Sequence, residues 1–200
     1  MPSESDLAAV ALRRIGRAVV TIDLGTSTKE ARSWGSVYPV ARSALLAEHT
    51  WDFAAQRAKL ARMAQVPPFG FAYYYQMPPA FLRALTIQDG ADCDICRYEI
   101  EAVSGPTQTA LAMATDATEV RLRYVADNAA ARDPNQMRTE FRNALILRCA
   151  RDMCMELTGD LRRFQLLDAE YRAAVAQARS IDSMSGPPVR IPEPDEILIR

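Results

Sequence analysis

The sequence predicts an α+β protein: a small helical bundle, an antiparallel β lobe inserted into it, and an extended C-terminal arm. Three observations lead there. Apolar residues recur at helical spacing near both ends of the chain, from Leu7 to Ile15, from Trp34 to Leu45 and from Met137 to Ala178. Between those blocks, apolar and polar residues alternate with a period of two, interrupted by Pro, Gly and Asp turn signals. Beyond Ile181 prolines accumulate, which excludes a helix at that end and suits an extended strand of chain. The division that follows is residues 1–50 for the N-terminal helices, 51–128 for the β-rich lobe, 129–182 for the C-terminal helices and 183–200 for the arm. A chain of 200 residues that is 49% hydrophobic can bury a substantial core. At ~100–200 residues per domain it makes one domain, or one with an inserted lobe.

In chain order, Ser3 (or Ser5) with Asp6 forms a helix-capping signal, Leu7, Val10, Ala11 and Ile15 supply one apolar face, and Gly16 supplies the stop. Next comes VVTIDLGTS, residues 19–27. Its Asp23, Gly25 and Thr26 resemble the first phosphate loop of the actin-like and sugar-kinase ATPases, where an aspartate faces a metal and small residues let backbone amides approach phosphate. That family also needs a return strand straight after the loop, a second phosphate loop and a much longer chain. Here Ser27 and Glu30 instead form a capping box, and Trp34, Tyr38, Ala41 and Leu45 continue at helical spacing. A kinase of this kind, using Asp23 and Thr26, predicts magnesium-dependent nucleotide binding. Pro39 costs the second helix a hydrogen bond and kinks it.

Residues 53–64 favour helix by propensity. Phe71, Tyr73, Tyr75 and Met77 then alternate with Ala72, Tyr74 and Gln76, and Pro67-Pro68 and Pro78-Pro79 bound the run, because proline cannot donate to a sheet ladder. Trp51 is placed to sit at the corner between helix and sheet. Leu85 and Ile87 lead to the Asp89-Gly90 turn. Cys96, Tyr98, Ile100 and Ala102, then Thr109, Leu111 and Met113, then Val120, Leu122 and Tyr124 each alternate with polar or small residues, with turns at Ser104-Gly105-Pro106 and at Asp116. The pattern predicts an antiparallel meander with one apolar face.

The stretch Asp133-Pro134-Asn135-Gln136 predicts the start of the longest helical block, with an N-cap, a proline at the first helical position and a glutamine able to bond back. Its apolar residues spread from Met137 and Phe141 to nearly every side by Leu157, as expected of a central helix packed on several neighbours. Gly159 ends it. Asp160 caps a last helix with Phe164, Leu167, Tyr171, Ala174, Val175 and Ala178 on its inner face. In the arm that follows, Val189, Ile191, Ile197, Leu198 and Ile199 bracket a stiff Pro-rich spacer, an arrangement suited to packing on another chain or adding to a sheet edge.

Taken together, LLAEHTWDFAAQRAKLA (45–61), PPFGFAYYYQMPPAFLR (67–83) and the helix pair around Thr158-Gly159 resemble the tail tubular protein A family, the head-to-tail adaptor proteins of tailed bacteriophages. The resemblance covers most of the chain and lies in core and turn residues. It implies an extended strand within residues 53–64. It also implies a homo-oligomeric ring, typically a dodecamer, docked beneath the portal protein, continuing the DNA channel and carrying the tail nozzle below. DNA then passes without sequence-specific binding, the arm reaches along a neighbour, and the protein belongs to the neck of the virion, made in the host cytoplasm. Two features depart from the family pattern: Pro79-Ala80 stands where an acidic residue often follows the Met-Pro pair, and the Cys93, Cys96 pair is not a family feature.

No enzyme, cofactor or metal is expected. The single histidine, His49, lies at a helix end beside Trp51, so neither a Ser-His-Asp triad nor a histidine-based metal cluster can be assembled. Cys93 and Cys96 would need a second pair to hold zinc, whereas Cys149 and Cys154 lie about 140° apart around a helix. All four are read as reduced thiols. Glu99 and Glu101 share a strand face, which makes a tail-associated glycan hydrolase with a carboxylate pair the alternative function. The net charge of -1 argues against tight nucleic-acid binding, and all 24 basic residues except Lys29 and Lys59 are arginine, which reads as a composition bias. Glu4 and Asp6 precede a short apolar run broken by Arg13-Arg14, unlike a signal peptide. No apolar run approaches the ~20 residues of a membrane-spanning helix, so no membrane contact is expected.

Overall fold

A computed structural model describes residues 1–19, 21–91, 93–95, 97–104 and 109–184. Among them are five helices and two three-stranded antiparallel sheets, an α+β fold. Helix α1 (Glu4–Arg14) opens with the expected capping box: Ser3 Oγ accepts from the Asp6 amide at 3.2 Å, and the Asp6 carboxylate accepts from the Ser3 amide at 2.8 Å. The helix stops at Gly16, whose φ of +87° favours glycine. A side chain there would also collide with the Arg163 guanidinium, which donates to the Ile15 carbonyl.

Helix α2 (Lys29–Glu48) is capped by Thr28, whose hydroxyl accepts from the Ala31 amide at 3.2 Å. The expected box on Ser27 and Glu30 does not form: Thr28, one residue nearer the helix, caps through its hydroxyl alone, and Ala31 at the third helical position has no polar side chain to bond back. Pro39 lies inside this helix. Short α3 (Ala129–Arg132) and then α4 (Thr139–Thr158) follow the sheets. The start of α4 corrects the expectation at Asp133. The Asp133 side chain accepts from the Asn135 amide at 2.9 Å and its carbonyl from the Gln136 amide at 3.0 Å, so this stretch closes a turn on itself between α3 and the start of α4. Gly159, in the left-handed conformation at φ +68°, ends α4, and Asp160 caps α5 (Leu161–Ser183) by accepting from the Arg163 amide at 3.0 Å.

Helix α4 is the axle of the bundle. Phe141, Ala144, Leu145, Leu147, Cys149, Ala150, Met153, Cys154 and Leu157 are all buried, facing α1, α2 and α5 in turn. Leu7 and Leu12 of α1, Trp34, Tyr38 and Leu45 of α2, and Leu167 and Val175 of α5 complete this core. Trp51 fills the predicted corner. Only 1% exposed, it donates its indole N–H to the Leu45 carbonyl at 2.8 Å and meets Phe141 edge-on at 4.9 Å.

The strands are β1 (Ala55–Lys59), β2 (Tyr73–Gln76), β3 (Phe81–Gln88), β4 (Tyr98–Ser104), β5 (Thr109–Thr115) and β6 (Arg121–Ala126). Residues 53–64 therefore do hold an extended strand. The strands do not form a meander. One sheet runs β1-β6-β3 and the other β2-β5-β4, so only β4 and β5 pair with a neighbour in sequence. Such an arrangement buries two faces where a meander buries one: Tyr75 and Met113 of the second sheet pack against Ile87, Leu122 and Tyr124 of the first. The far face of the second sheet, with Tyr74, Val103, Ala112 and Ala114, is covered by Met63 and Phe71.

The first sheet docks on the bundle through Val125, with Leu82 and Leu85 beside it. A buried ion pair fixes that junction. Arg42 of α2 donates from Nε and Nη2 to the two oxygens of Asp127, at 3.0 and 3.1 Å, and Ser43 Oγ donates to Asp127 at 3.0 Å. Burial alone would raise the Asp127 pKa. The hydrogen bonds from Arg42 and Ser43, with the charges of Arg42 and Arg132, outweigh it and hold the carboxyl below the ordinary aspartate range.

Candidate interaction surfaces

The five residues singled out as partner contacts, Val189, Ile191, Ile197, Leu198 and Ile199, lie outside the described residues. The root of the arm is described, at the end of α5. The Asp182 side chain, 3% exposed, lies 3.3 Å from His49 Nε2 at the end of α2 and 3.6 Å from Arg138 Nε at the start of α4. Arg138 also reaches Asp52 at 3.8 Å. Burial, and secondarily the Asp52 charge, push the Asp182 carboxyl up against the opposing pull of Arg138 and His49. His49 also meets the Trp51 ring edge-on at 4.8 Å, so the corner role expected of it is the one it occupies.

Strand β4 presents a second surface. Its inner side pairs with β5 along all seven residues, and among the described residues nothing pairs with its outer side. Two other flanks of the lobe, those of β2 and β3, are partly covered. Residues 61–63 meet β2 through Met63 N to the Tyr74 carbonyl at 2.8 Å, and Ile95 meets β3 through its amide to the Ile87 carbonyl at 2.9 Å. Register places Tyr98, Ile100 and Ala102 on one face beside Leu111, and Tyr98, Ile100 and Leu111 are 39%, 37% and 47% exposed. An uncovered strand with apolar side chains is a template for pairing with another chain.

Glu99 and Glu101 fall on the opposite face of β4, as their spacing requires. With Tyr74, Arg97 and Phe69 they line a depression of about 320 Å³. Glu101 accepts from the Tyr74 hydroxyl at 2.6 Å, and that hydrogen bond raises the phenol's pKa. Arg97 is held by Asp116 at 3.0 Å and by the Gly70 carbonyl at 2.9 Å. The carboxylates therefore share a site, with one of them engaged by a tyrosine and both exposed.

The Asp23 to Thr26 loop turns on itself. Asp23 accepts from the Gly25 amide at 2.9 Å, and the Thr26 hydroxyl donates to the Asp23 carbonyl at 2.7 Å. This is a lead-in to the α2 cap. Cys93 is exposed and free, Cys149 and Cys154 are free and buried, and Cys96 lies outside the described residues. Burial pushes the Cys149 thiol well above its ordinary value.

One cluster went unread in the sequence. Pairing of β1 with β6 sets Arg57 opposite Arg123 and Lys59 opposite Arg121, on the outer face of the first sheet. Arg121 and Arg123 were visible as the polar half of an alternating strand, but β1 lies more than sixty residues earlier, and only the register brings the four together. No protein-family model matches the chain, and no curated protein matches it.

Proposed function

We propose that the protein is a structural head-to-tail adaptor of a tailed bacteriophage. Copies assemble into a ring, a dodecamer by resemblance to the tail tubular protein A family, between the portal protein and the tail nozzle. The ring continues the DNA channel without reading sequence, and the protein's place is the neck of the virion. Support comes from the core and turn residues that carry the resemblance and, above all, from the free edge of β4 with Tyr98, Ile100 and neighbouring Leu111 exposed. A subunit that builds a larger object needs surfaces of this kind, and a ring closes when each copy offers one patch to a different patch on the next. The arm, with Val189, Ile191, Ile197, Leu198 and Ile199, supplies the reach between neighbours.

Native mass spectrometry and electron microscopy of the purified protein, alone and with its portal protein, test this. Closed rings seated on the portal are expected. A monomer that ignores the portal overturns the proposal. The alternative, a glycan hydrolase, draws on Glu99 and Glu101 sharing one depression. Glycan cleavage abolished by both Glu99→Gln and Glu101→Gln would establish it in place of the adaptor.

A further inference from the structure

We propose that the outer face of the β1-β6-β3 sheet is a binding surface for the phosphate backbone of duplex nucleic acid. The register lays six side chains on this face in two rows. Arg57, Arg123 and Thr86 form one, and Lys59, Arg121 and Gln88 the other. Along each strand the members are two residues apart, or ~7 Å, and neighbouring strands are ~4.8 Å apart. The same residues line a shallow depression of about 520 Å³.

Charge on this face is unlike that of the whole molecule. The chain carries a net -1, yet four cations gather here, and Glu119 is a carboxylate that meets two of them, Lys59 at 2.7 Å and Arg121 at 3.0 Å. Among the described residues, neither the Arg57 nor the Arg123 guanidinium has a hydrogen bond or ion pair. Two like charges placed directly across a strand pair destabilise a sheet, so the fold carries an unfavourable contact that an external anion relieves. A polyanion does so best, because it meets all four cations at once and releases counterions as it binds.

The chemistry beside the cations favours nucleic acid over an acidic protein. A protein interface has a desolvated apolar or aromatic centre. The central strand of this face carries Arg121 and Arg123, Thr86 and Gln88 flank them on the edge strand β3, and no aromatic ring is among the lining residues. Polar side chains of that kind contact phosphate oxygens and sugars, and the missing rings leave nothing to stack on bases. Contact is therefore with the backbone, independent of sequence. The net charge hid this, because it averages a basic face with acidic residues elsewhere.

The test is fluorescence anisotropy of a short labelled DNA duplex against the full-length protein at several salt concentrations. Engaging four cations gives a slope of log K against log salt of about -3 to -4, roughly a hundredfold weakening between 50 and 200 mM salt. In Arg57→Gln/Arg123→Gln the slope shrinks by about 2, and in Lys59→Gln by about 1, while Arg172→Gln, on the outside of the bundle, leaves it unchanged. Removing a like-charge pair does not threaten folding, and circular dichroism checks that. No salt-dependent binding, a slope indifferent to these substitutions, or preference for polyglutamate over duplex overturns the inference. It is separable from the adaptor proposal: a monomer that binds duplex through this face loses the ring and keeps the surface.

Discussion

Replacing Asp127 with asparagine isolates what joins the bundle to the lobe. The Arg42 and Asp127 side chains are 9% and 11% exposed, and they share two hydrogen bonds with a third from Ser43. Asparagine keeps the shape and can still accept one bond, but it leaves the guanidinium buried without a counter-charge. Removing one partner of such a pair costs about 3–5 kcal/mol, and the residual bond places Asp127→Asn near the lower end, at ~3 kcal/mol. Arg132, 57% exposed and 3.4 Å from the carboxylate, adds little to that figure. A loss of ~3 kcal/mol is a large share of the ~5–15 kcal/mol typical of a folded domain, and lowers Tm by on the order of 10 °C for a chain of this size. Urea denaturation followed by Trp34 and Trp51 fluorescence reads it directly. Arg42→Met/Asp127→Leu, which removes both charges, should recover much of the loss. A change under ~1 kcal/mol in Asp127→Asn would refute the claim that this pair fastens lobe to bundle.

The same carboxyl makes an acid-side prediction. Its folded pKa is depressed, so its contribution is fully present above the unfolded aspartate value of 3.8 and is lost as pH falls below it. Wild type should therefore lose stability in that acid window more steeply than Asp127→Asn, as urea midpoints at stepped pH will show. Gly159→Ala meets no neighbouring atom, so its cost is the backbone strain at φ +68° alone, ~1 kcal/mol in the same urea assay. In the native protein a thiol reagent should label Cys93 quickly and leave Cys149 and Cys154 untouched until denaturant is added, as mass spectrometry of labelled peptides will report. Ile100→Lys, on an exposed site of β4, should leave the melting curve within ~0.5 kcal/mol of wild type while preventing assembly, read by analytical ultracentrifugation.

Local chemistry was legible in the sequence wherever a residue acts on its near neighbours. Ser3 with Asp6, Gly16, Gly159 and Asp160 fixed helix ends within a turn, and the period-two stretches marked most of the strands. Partnership between distant residues was not legible. Nothing in 121–126 says that it pairs with 55–59 on one side and 81–88 on the other; that depends on burying Leu122 and Tyr124 against Tyr75 of the other sheet. The Arg42 to Asp127 pair and the basic face were invisible for the same reason, since each joins residues far apart in sequence. At Asp133 two local signals competed, and the Asx turn prevailed over the helix cap because Asp133 was free to bond Asn135 two residues on. Strand β1 at 55–59 lies within residues 53–64, where propensity favours helix and the resemblance implies extended chain, an example of tertiary context overriding intrinsic preference. The arm's five apolar residues lie outside the described residues.

Mass measurement of the protein alone and mixed with the portal protein proposed as its partner, imaged in the same preparation, bears most directly on the proposal that this chain makes surfaces for its neighbours. Closed rings stacked on the portal, lost in Ile100→Lys, are the expected outcome. A single folded copy that stays single at every concentration, with or without portal, contradicts it.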